Sequence, residues 1–275
     1  MIEGLLFPRV RAKRDRLARA VAGKTIVVTG ASHGIGEQVA RQLGMAGAHV
    51  VLVARSIEQL AAVAAAIVAD GGRVTVMPCD LTDQAQLDAL IAGLLVLPGG
   101  VDVLVSNAGK SICRPLLASL DRPQDVARTM ALNFTAPVRL VLALTPMLRA
   151  RGGQVASVSA ANVLLAPAPY WGAYQASKAA FDQWLRAAAP ELRAVGIAVG
   201  TLYLPLVRTR MIAPTAAYDR MPAMTAEQAA LRVCRMIATR RPRWTPWWLG
   251  AGELASLLLR RPWEAAMVRW ARRRS

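Results

Sequence analysis

A tyrosine and a lysine stand one helical turn apart in Tyr174-Gln175-Ala176-Ser177-Lys178. Far upstream, Thr29-Gly30-Ala31-Ser32-His33-Gly34-Ile35-Gly36 has the glycine content of a strand-to-helix turn that cradles a pyrophosphate. A phenol with an ordinary pKa of about 10 is a poor proton relay at neutral pH. An ammonium one turn away on the same helix face is expected to lower that pKa. The Tyr–Lys pair and the glycine turn together point to hydride transfer between a nicotinamide cofactor and a carbonyl or alcohol. In the reductive direction Tyr174 donates a proton to the carbonyl oxygen as hydride reaches the carbon.

The glycine turn needs a strand before it and a helix after it. Thr29-Gly30 ends the first apolar run and Gly34-Ile35-Gly36 opens the first helical pattern. Glycines let the N–H groups at Ser32, His33 and their neighbours approach phosphate, and the helix dipole adds favourable charge. The spacing is GxxxGxG, a departure from the commoner GxGxxG fingerprint. Arg55 follows the second strand, with Ser56 beside it. An acid there would bind the ribose 2′-hydroxyl of NAD, whereas a base suits the 2′-phosphate of NADP(H). His33 adds a second contact to that phosphate.

Six apolar runs read as buried parallel strands: Thr25 to Thr29, His49 to Ala54, Arg73 to Cys79, Val101 to Ser106, Gln154 to Ser159 and Ala198 to Tyr203. Helical patterns separate them: Gly34 to Gly47, Ile57 to Asp70, Asp83 to Leu95 and Gln124 to Arg149, the last containing Pro137 and Pro146. This β–α alternation implies an α/β, doubly wound sheet with ligands at the carboxyl ends of its strands. Residues 1 to 23 read as a basic amphipathic helix, and residues 24 to 240 as the sheet domain. Residues 206 to 224, with Pro214 and Pro222 and no periodicity, read as a lid. Residues 241 to 275 read as a Trp- and Arg-rich helical extension.

At 275 residues and 55% apolar, the chain suits one large ordered domain. No run of about 18 uninterrupted apolar residues is present, and no signal-peptide pattern, so neither a spanning helix nor secretion is expected. Cys79, Cys113 and Cys234 are too few and too far apart for a disulfide framework or a zinc site, and read as buried thiols. His33 and His49 are the only histidines, which argues against a Ser-His-Asp hydrolase. A cytoplasmic, reducing location follows, with no metal. The net charge of +17 concentrates at the two ends. One cluster is Arg9, Arg11, Lys13, Arg14, Arg16 and Arg19. The other runs from Arg240, Arg241 and Arg243 through Arg260, Arg261 and Arg269 to Arg272, Arg273 and Arg274. Such asymmetry favours an anionic partner, or is simply a solvated surface.

The ordered set Thr29 to Gly36, Asp80-Leu81, Asn107-Ala108-Gly109, Asn133, Ser159, Tyr174 to Lys178 and Pro205 to Thr209 resembles the short-chain dehydrogenase/reductase family, over roughly residues 24 to 240. The resemblance implies a Rossmann-type doubly wound sheet and an NADP-dependent oxidoreductase. It implies that Asp80 and Leu81 flank the adenine. Asn107, Ala108 and Gly109 would support the central strand beside the cofactor, and Pro205, Val207 and Thr209 would meet the nicotinamide carboxamide. Asn133 would hold a water beside Lys178. Three departures stand out: Ser106 replaces the usual Asn, Leu206 replaces the Gly after Pro205, and Ser159 lies farther before Tyr174 than is usual, so the loop with Pro167 and Pro169 must bulge. Leu204 to Thr209, Met211 to Thr215 and Thr225 to Ala230 look like a bacterial subgroup that reduces fatty acyl-CoA or long β-keto esters.

The sequence therefore reads as an NADPH-dependent reductase of a lipophilic, fatty-acyl-type carbonyl. A dehydrogenase or ketoreductase for a sterol, polyketide or other hydrophobic alcohol is a second reading, and an idle nucleotide-binding membrane scaffold a third. Five of the seven tryptophans lie beyond residue 243, and helical spacing puts Trp263, Met267 and Trp270 on one face. Tryptophan interleaved with arginine suits peripheral contact with a membrane, or closure of the pocket or of a subunit interface. Nucleic acid is not expected, since no recognition motif accompanies the charge. The family often forms dimers or tetramers, so a homo-oligomer is expected.

Overall fold

The computed structural model describes residues 2–8, 14–213, 218 and 220–273. Seven parallel strands form the central sheet: β1 (Thr25–Thr29), β2 (His49–Ala54), β3 (Arg73–Pro78), β4 (Val103–Ser106), β5 (Gln154–Ala160), β6 (Ala198–Leu204) and, at one edge, β9 (Arg243–Trp244). Their spatial order is β3-β2-β1-β4-β5-β6-β9. The order reverses between β1 and β4, where an open α/β sheet leaves a crevice at its carboxyl edge.

Two cores lie on the two faces, because alternate residues of each buried strand point to opposite sides. Ile26, Val28, Val50 and Leu52 join the first core, while Val27, Val51 and Val53 join the second. The first is covered by α2 (Arg14–Val21), α3 (Gly34–Met45), α4 (Ile57–Ala69) and α9 (Ala226–Thr239), through residues such as Leu43, Leu60 and Ile237. The second is covered by α5 (Gln84–Leu95), α7 (Ala136–Ala150) and α8 (Gly172–Ala194), through Leu94, Leu144 and Leu185.

Three features depart from the sequence reading. The N-terminal segment is two helices, α1 (Ile2–Leu6) and α2, because the chain leaves helix at Phe7 and Pro8. Arg9, Arg11 and Lys13 of the first basic cluster, and Arg274 of the second, lie outside the described residues. The long helix from Gln124 is α6 (Gln124–Met130) joined to α7 by a π-turn, Ala131–Thr135. Taken together, Gln124–Ala150 is long and apolar enough to cross a membrane by composition. Here it packs on the sheet instead, with Leu140, Val141, Leu144 and Leu148 buried. Finally, the sheet continues past residue 240, since Thr201 and Leu202 pair with Arg243 and Trp244 of β9.

The 206 to 224 segment leaves β6 and returns to α9. Its base is stitched by a second, two-stranded sheet, β7 (Val207–Arg208) on β8 (Met224–Thr225). Pro214 and Thr215 of this segment lie outside the described residues. The extension forms α10 (Leu249–Leu258) and α11 (Arg260–Arg272).

Candidate active site

The glycine turn sits at the crevice. Gly30 and Gly34 hold left-handed backbones, φ 66° and 59°, which glycine adopts without steric cost. A Cβ on Gly36 would lie 2.1 Å from the Gly30 carbonyl oxygen and 2.6 Å from Asn107 Nδ2, so no other residue fits there. The turn is tied to β4 from the side. Asn107 Nδ2 donates to the Thr29 carbonyl at 2.9 Å, and Thr29 Oγ1 accepts from the N–H groups of Asn107 and Ala108. Thr209 closes over the other side, its Cγ2 3.0 Å from where a Gly34 Cβ would stand. No side chain caps the α3 N-terminus, so its first N–H groups are left to a ligand or solvent. This glycine cradle and uncapped helix end fit a dinucleotide pyrophosphate, with Ser32, His33, Gly34, Ile35 and Gly36 as the backbone that would hold it.

Past β2, the Arg55 side chain is 78% exposed and reaches within 3.9 Å of Asp80 Oδ2. Ser56 caps α4 by accepting from the Gln59 N–H, and also donates to Glu58. Asp80 Oδ1 is occupied by Thr82, while Leu81 beside it is buried. His33 bonds Ser32 on one ring nitrogen and meets Arg210 Nη1 on the other, at 2.6 Å. Arg210 thus joins the rim of the crevice. Sequence reading missed it, because an arginine in an aperiodic segment carries no positional signal.

The π-turn aims Asn133 inward, since the extra residue re-phases the helix at that point. Buried at 1% exposure, Asn133 donates from Nδ2 to the Lys110 carbonyl and to Ser177 Oγ, and accepts the Lys110 N–H. Ser177 in turn donates to the Tyr174 carbonyl. Asn133 therefore braces the strip after Gly109 against the first turn of α8. Lys178 comes to the same point: its Nζ donates to the Val158 carbonyl at 3.2 Å and lies 3.2 Å from where a Gly109 Cβ would stand. Ser159, next in the chain, is buried, and its Oγ has no hydrogen-bond partner among the described residues. An unpartnered buried hydroxyl is costly unless a ligand completes it.

The net shift of Tyr174 runs opposite to the expectation: burial, with the neighbouring Tyr218 phenol, pushes its pKa up to about 12. Burial also drives the Lys178 ammonium down to about 8, which leaves it mostly protonated at neutral pH.

The loop between Ser159 and Tyr174 does bulge. It makes a short 3-10 turn at Ala161–Val163 and ends at Tyr170, whose backbone is left-handed at φ 76°. The Tyr170 carbonyl accepts the Arg114 N–H, and its ring packs on Trp270 with centroids 5.0 Å apart. Trp171, at the start of α8, packs on Tyr218 of the 206 to 224 segment with centroids 5.7 Å apart. Pro205 follows β6, Val207 is buried in β7, and Thr209 Oγ1 donates to the Val207 carbonyl. Nothing in spacing or composition marked Trp171, Tyr170 or Tyr218. Among the described residues no cluster of His, Cys, Asp and Glu suits a metal.

The profile of the short chain dehydrogenase family matches residues 24–219. The chain is 45% identical over 227 residues to a fatty acyl-CoA reductase of Mycobacterium tuberculosis, covering 82% of this chain and 77% of that protein. It is 44% identical over 224 residues to a fatty acyl-CoA reductase of Acinetobacter baylyi, covering 81% and 76%. Among solved structures, it is similar to a metagenomic short-chain oxidoreductase in complex with NADP, at 32% identity and a TM-score of 0.70, covering 82% of this chain and 97% of that one. A short-chain dehydrogenase from Sphingobium yanoikuyae in complex with NADPH has 26% identity and a TM-score of 0.76, covering 88% and 95%. With the crevice, the glycine cradle and the Asn–Ser–Tyr–Lys constellation, these likenesses establish that the chain belongs to the short-chain dehydrogenase/reductase family of oxidoreductases.

Proposed function

We propose that the protein is an NADPH-dependent reductase of a fatty acyl thioester, acting in the cytoplasm at a membrane surface. The observation that carries the reading is Ser159: its buried, unpartnered hydroxyl stands beside the carbonyl that takes the Lys178 ammonium, one turn of α8 away from Tyr174. NADPH, when bound, supplies the hydride. Gly30 to Gly36 hold its pyrophosphate, Arg55 and His33 its 2′-phosphate, and Asp80 and Leu81 its adenine. Asn107 to Gly109, with Pro205, Val207 and Thr209, enclose the nicotinamide end.

At the substrate, Ser159 Oγ donates a hydrogen bond to the carbonyl oxygen, which fixes its orientation and stabilises the developing negative charge. A phenol raised to about 12 stays protonated, so Tyr174 enters the reaction as a loaded donor. Its proton passes to the oxygen as hydride arrives at carbon, giving a hemithioacetal. Collapse of that adduct releases the aldehyde and the thiol. Lys178 then returns a proton to Tyr174, and Asn133 keeps the Lys178 end of the relay in register. The 44–45% identity to named fatty acyl-CoA reductases supports the acyl substrate.

The test is NADPH and NADH oxidation at 340 nm with long-chain acyl-CoA, long-chain aldehyde, a β-keto ester and a sterol ketone, each with wild type and Tyr174→Phe. Tyr174-dependent, NADPH-preferring turnover of acyl-CoA supports the reading. Turnover of the sterol ketone alone overturns it.

A further inference from the structure

The Trp-rich extension sorts its residues in a way the sequence does not announce. Both helices turn their inner faces to the segment between Ser159 and Tyr174. Leu249 of α10 is buried against Ala161 and Tyr203, Ser256 Oγ accepts the Ala166 N–H, and Gly252 abuts Leu165. From α11, Trp263 Nε1 donates to the Pro167 carbonyl and Trp270 packs on Tyr170. Trp263 and Trp270 thus pack against the loop that carries Ser159 into Tyr174.

The outward faces have a different character. That of α10 carries Leu254, Leu257 and Leu258, exposed at 58%, 74% and 73%, beside Gly250, Ala251 and Ala255, while Glu253 at the flank is paired with Arg243. Leu116, Leu117 and Leu120, each 73–78% exposed, project from the neighbouring loop. The Arg114 N–H bond to the Tyr170 carbonyl ties that loop to the same segment. Both groups of exposed leucines thus lie on segments hydrogen-bonded to the stretch that carries Ser159 into Tyr174. The outward face of α11 is basic: Arg261, Arg269 and Arg272 are exposed, and no acid pairs with them among the described residues. Exposed leucines grouped in this way mark an interaction surface more often than an ordinary solvated one. A self-contact across a two-fold axis would bring like-charged arginines together, whereas lipid phosphate complements them.

We propose that this surface seats the protein on an anionic phospholipid bilayer. The α10 leucines enter the acyl boundary, the α11 arginines meet headgroup phosphates, and the lipophilic substrate reaches Tyr174 from the membrane. The inference rests on the acyl-substrate reading, but its test does not depend on turnover.

Full-length protein is sedimented with vesicles of equal phosphatidylglycerol and phosphatidylcholine, and with phosphatidylcholine alone. Wild type is expected to partition to the anionic vesicles at least about tenfold more strongly than to the neutral ones. The triple change Leu254→Glu, Leu257→Glu, Leu258→Glu loses about tenfold or more of that partition, and so does Arg261→Glu, Arg269→Glu, Arg272→Glu. NADPH binding by calorimetry stays unchanged in both, which shows that they fold. Leu257→Ser alone serves if the leucine triple does not fold, with a smaller loss in the same direction. Wild-type affinity in the leucine variants overturns the proposal. So does a solution dimer, seen by light scattering, that these variants dissociate while vesicle binding is absent. An inactive protein that still binds vesicles separates failure of the reductase reading from failure of this one.

Discussion

Glu3 of α1 accepts the Ala223 backbone N–H at 3.1 Å and the Arg208 guanidinium at 3.0 Å. Ala223 and Arg208 stand at the two ends of the 206 to 224 segment, so one carboxylate holds both. The Ala223 hydrogen bond first, and Arg208 second, keep the Glu3 carboxyl below its usual range. The carboxylate is therefore charged at neutral pH. Its contribution is lost only as pH falls through that lowered value.

Replacing Glu3 with Ala frees the lid base. The KM for NADPH is expected to rise about three- to tenfold, with a smaller change in kcat, because lid anchors act on closure rather than on the chemical step. Steady-state kinetics with varied NADPH read this directly. The melting temperature should barely move, since the pair is solvent-exposed.

Tyr174→Phe removes the donated proton and should lower kcat by at least about 100-fold. Ser159→Ala removes one hydrogen bond to the developing oxyanion and should cost about 10- to 1000-fold. Calorimetric NADPH binding should be retained in both. A Ser159→Ala enzyme with full turnover would remove Ser159 from the mechanism.

Lys178 gives a pH prediction with a definite sign. Burial lowers its folded pKa to about 8, so the folded chain releases a proton that the unfolded chain keeps up to about 10.5. The destabilisation from the buried charge is fully present below pH 8 and fades as pH rises toward 10.5. Lys178→Met should therefore melt above wild type at pH 7, and the gap should narrow by pH 10. In the enzyme itself, reductive kcat/KM should fall as pH rises through about 8, where Lys178 loses the proton it returns to Tyr174.

Arg55 has open space around it and a charged end that reaches Asp80 only at 3.9 Å. Arg55→Glu should lower kcat/KM for NADPH about 10- to 100-fold while leaving NADH within a few-fold, because an acid repels the 2′-phosphate and accepts a 2′-hydroxyl. Parallel assays with the two cofactors check it.

Six of the seven sheet strands were legible, because parallel strands buried on both faces are written as near-continuous Val, Ile and Leu. Arg243–Trp244 was not, because a two-residue strand framed by prolines and arginines has no period to detect. The glycine turn and the Tyr174–Lys178 pair were legible because local geometry forces those residue types into fixed spacing. What escaped was set by tertiary packing. The π-turn that aims Asn133, the inward tryptophans of α11 and the Trp171–Tyr218 contact join segments far apart in sequence. The direction of the Tyr174 shift was misread for the same reason. Spacing reveals that a lysine is one turn away, but not how deeply both groups are buried.

The α1 segment reaches across the whole chain: Trp247 Nε1 donates to the Leu5 carbonyl and Arg232 to the Pro8 carbonyl, besides the Glu3 contacts at the lid. Contacts of such long sequence separation carry the largest loop-closure cost and form late in folding. During synthesis the sheet and its glycine turn can assemble while residue 247 is still unmade. The Glu3 contacts wait only for Arg208 and Ala223, whereas the Leu5 carbonyl gains its partner last, once Trp247 has been made. The same contacts are the natural first to open in the finished protein, and hydrogen exchange at the Ala223 amide would report that opening.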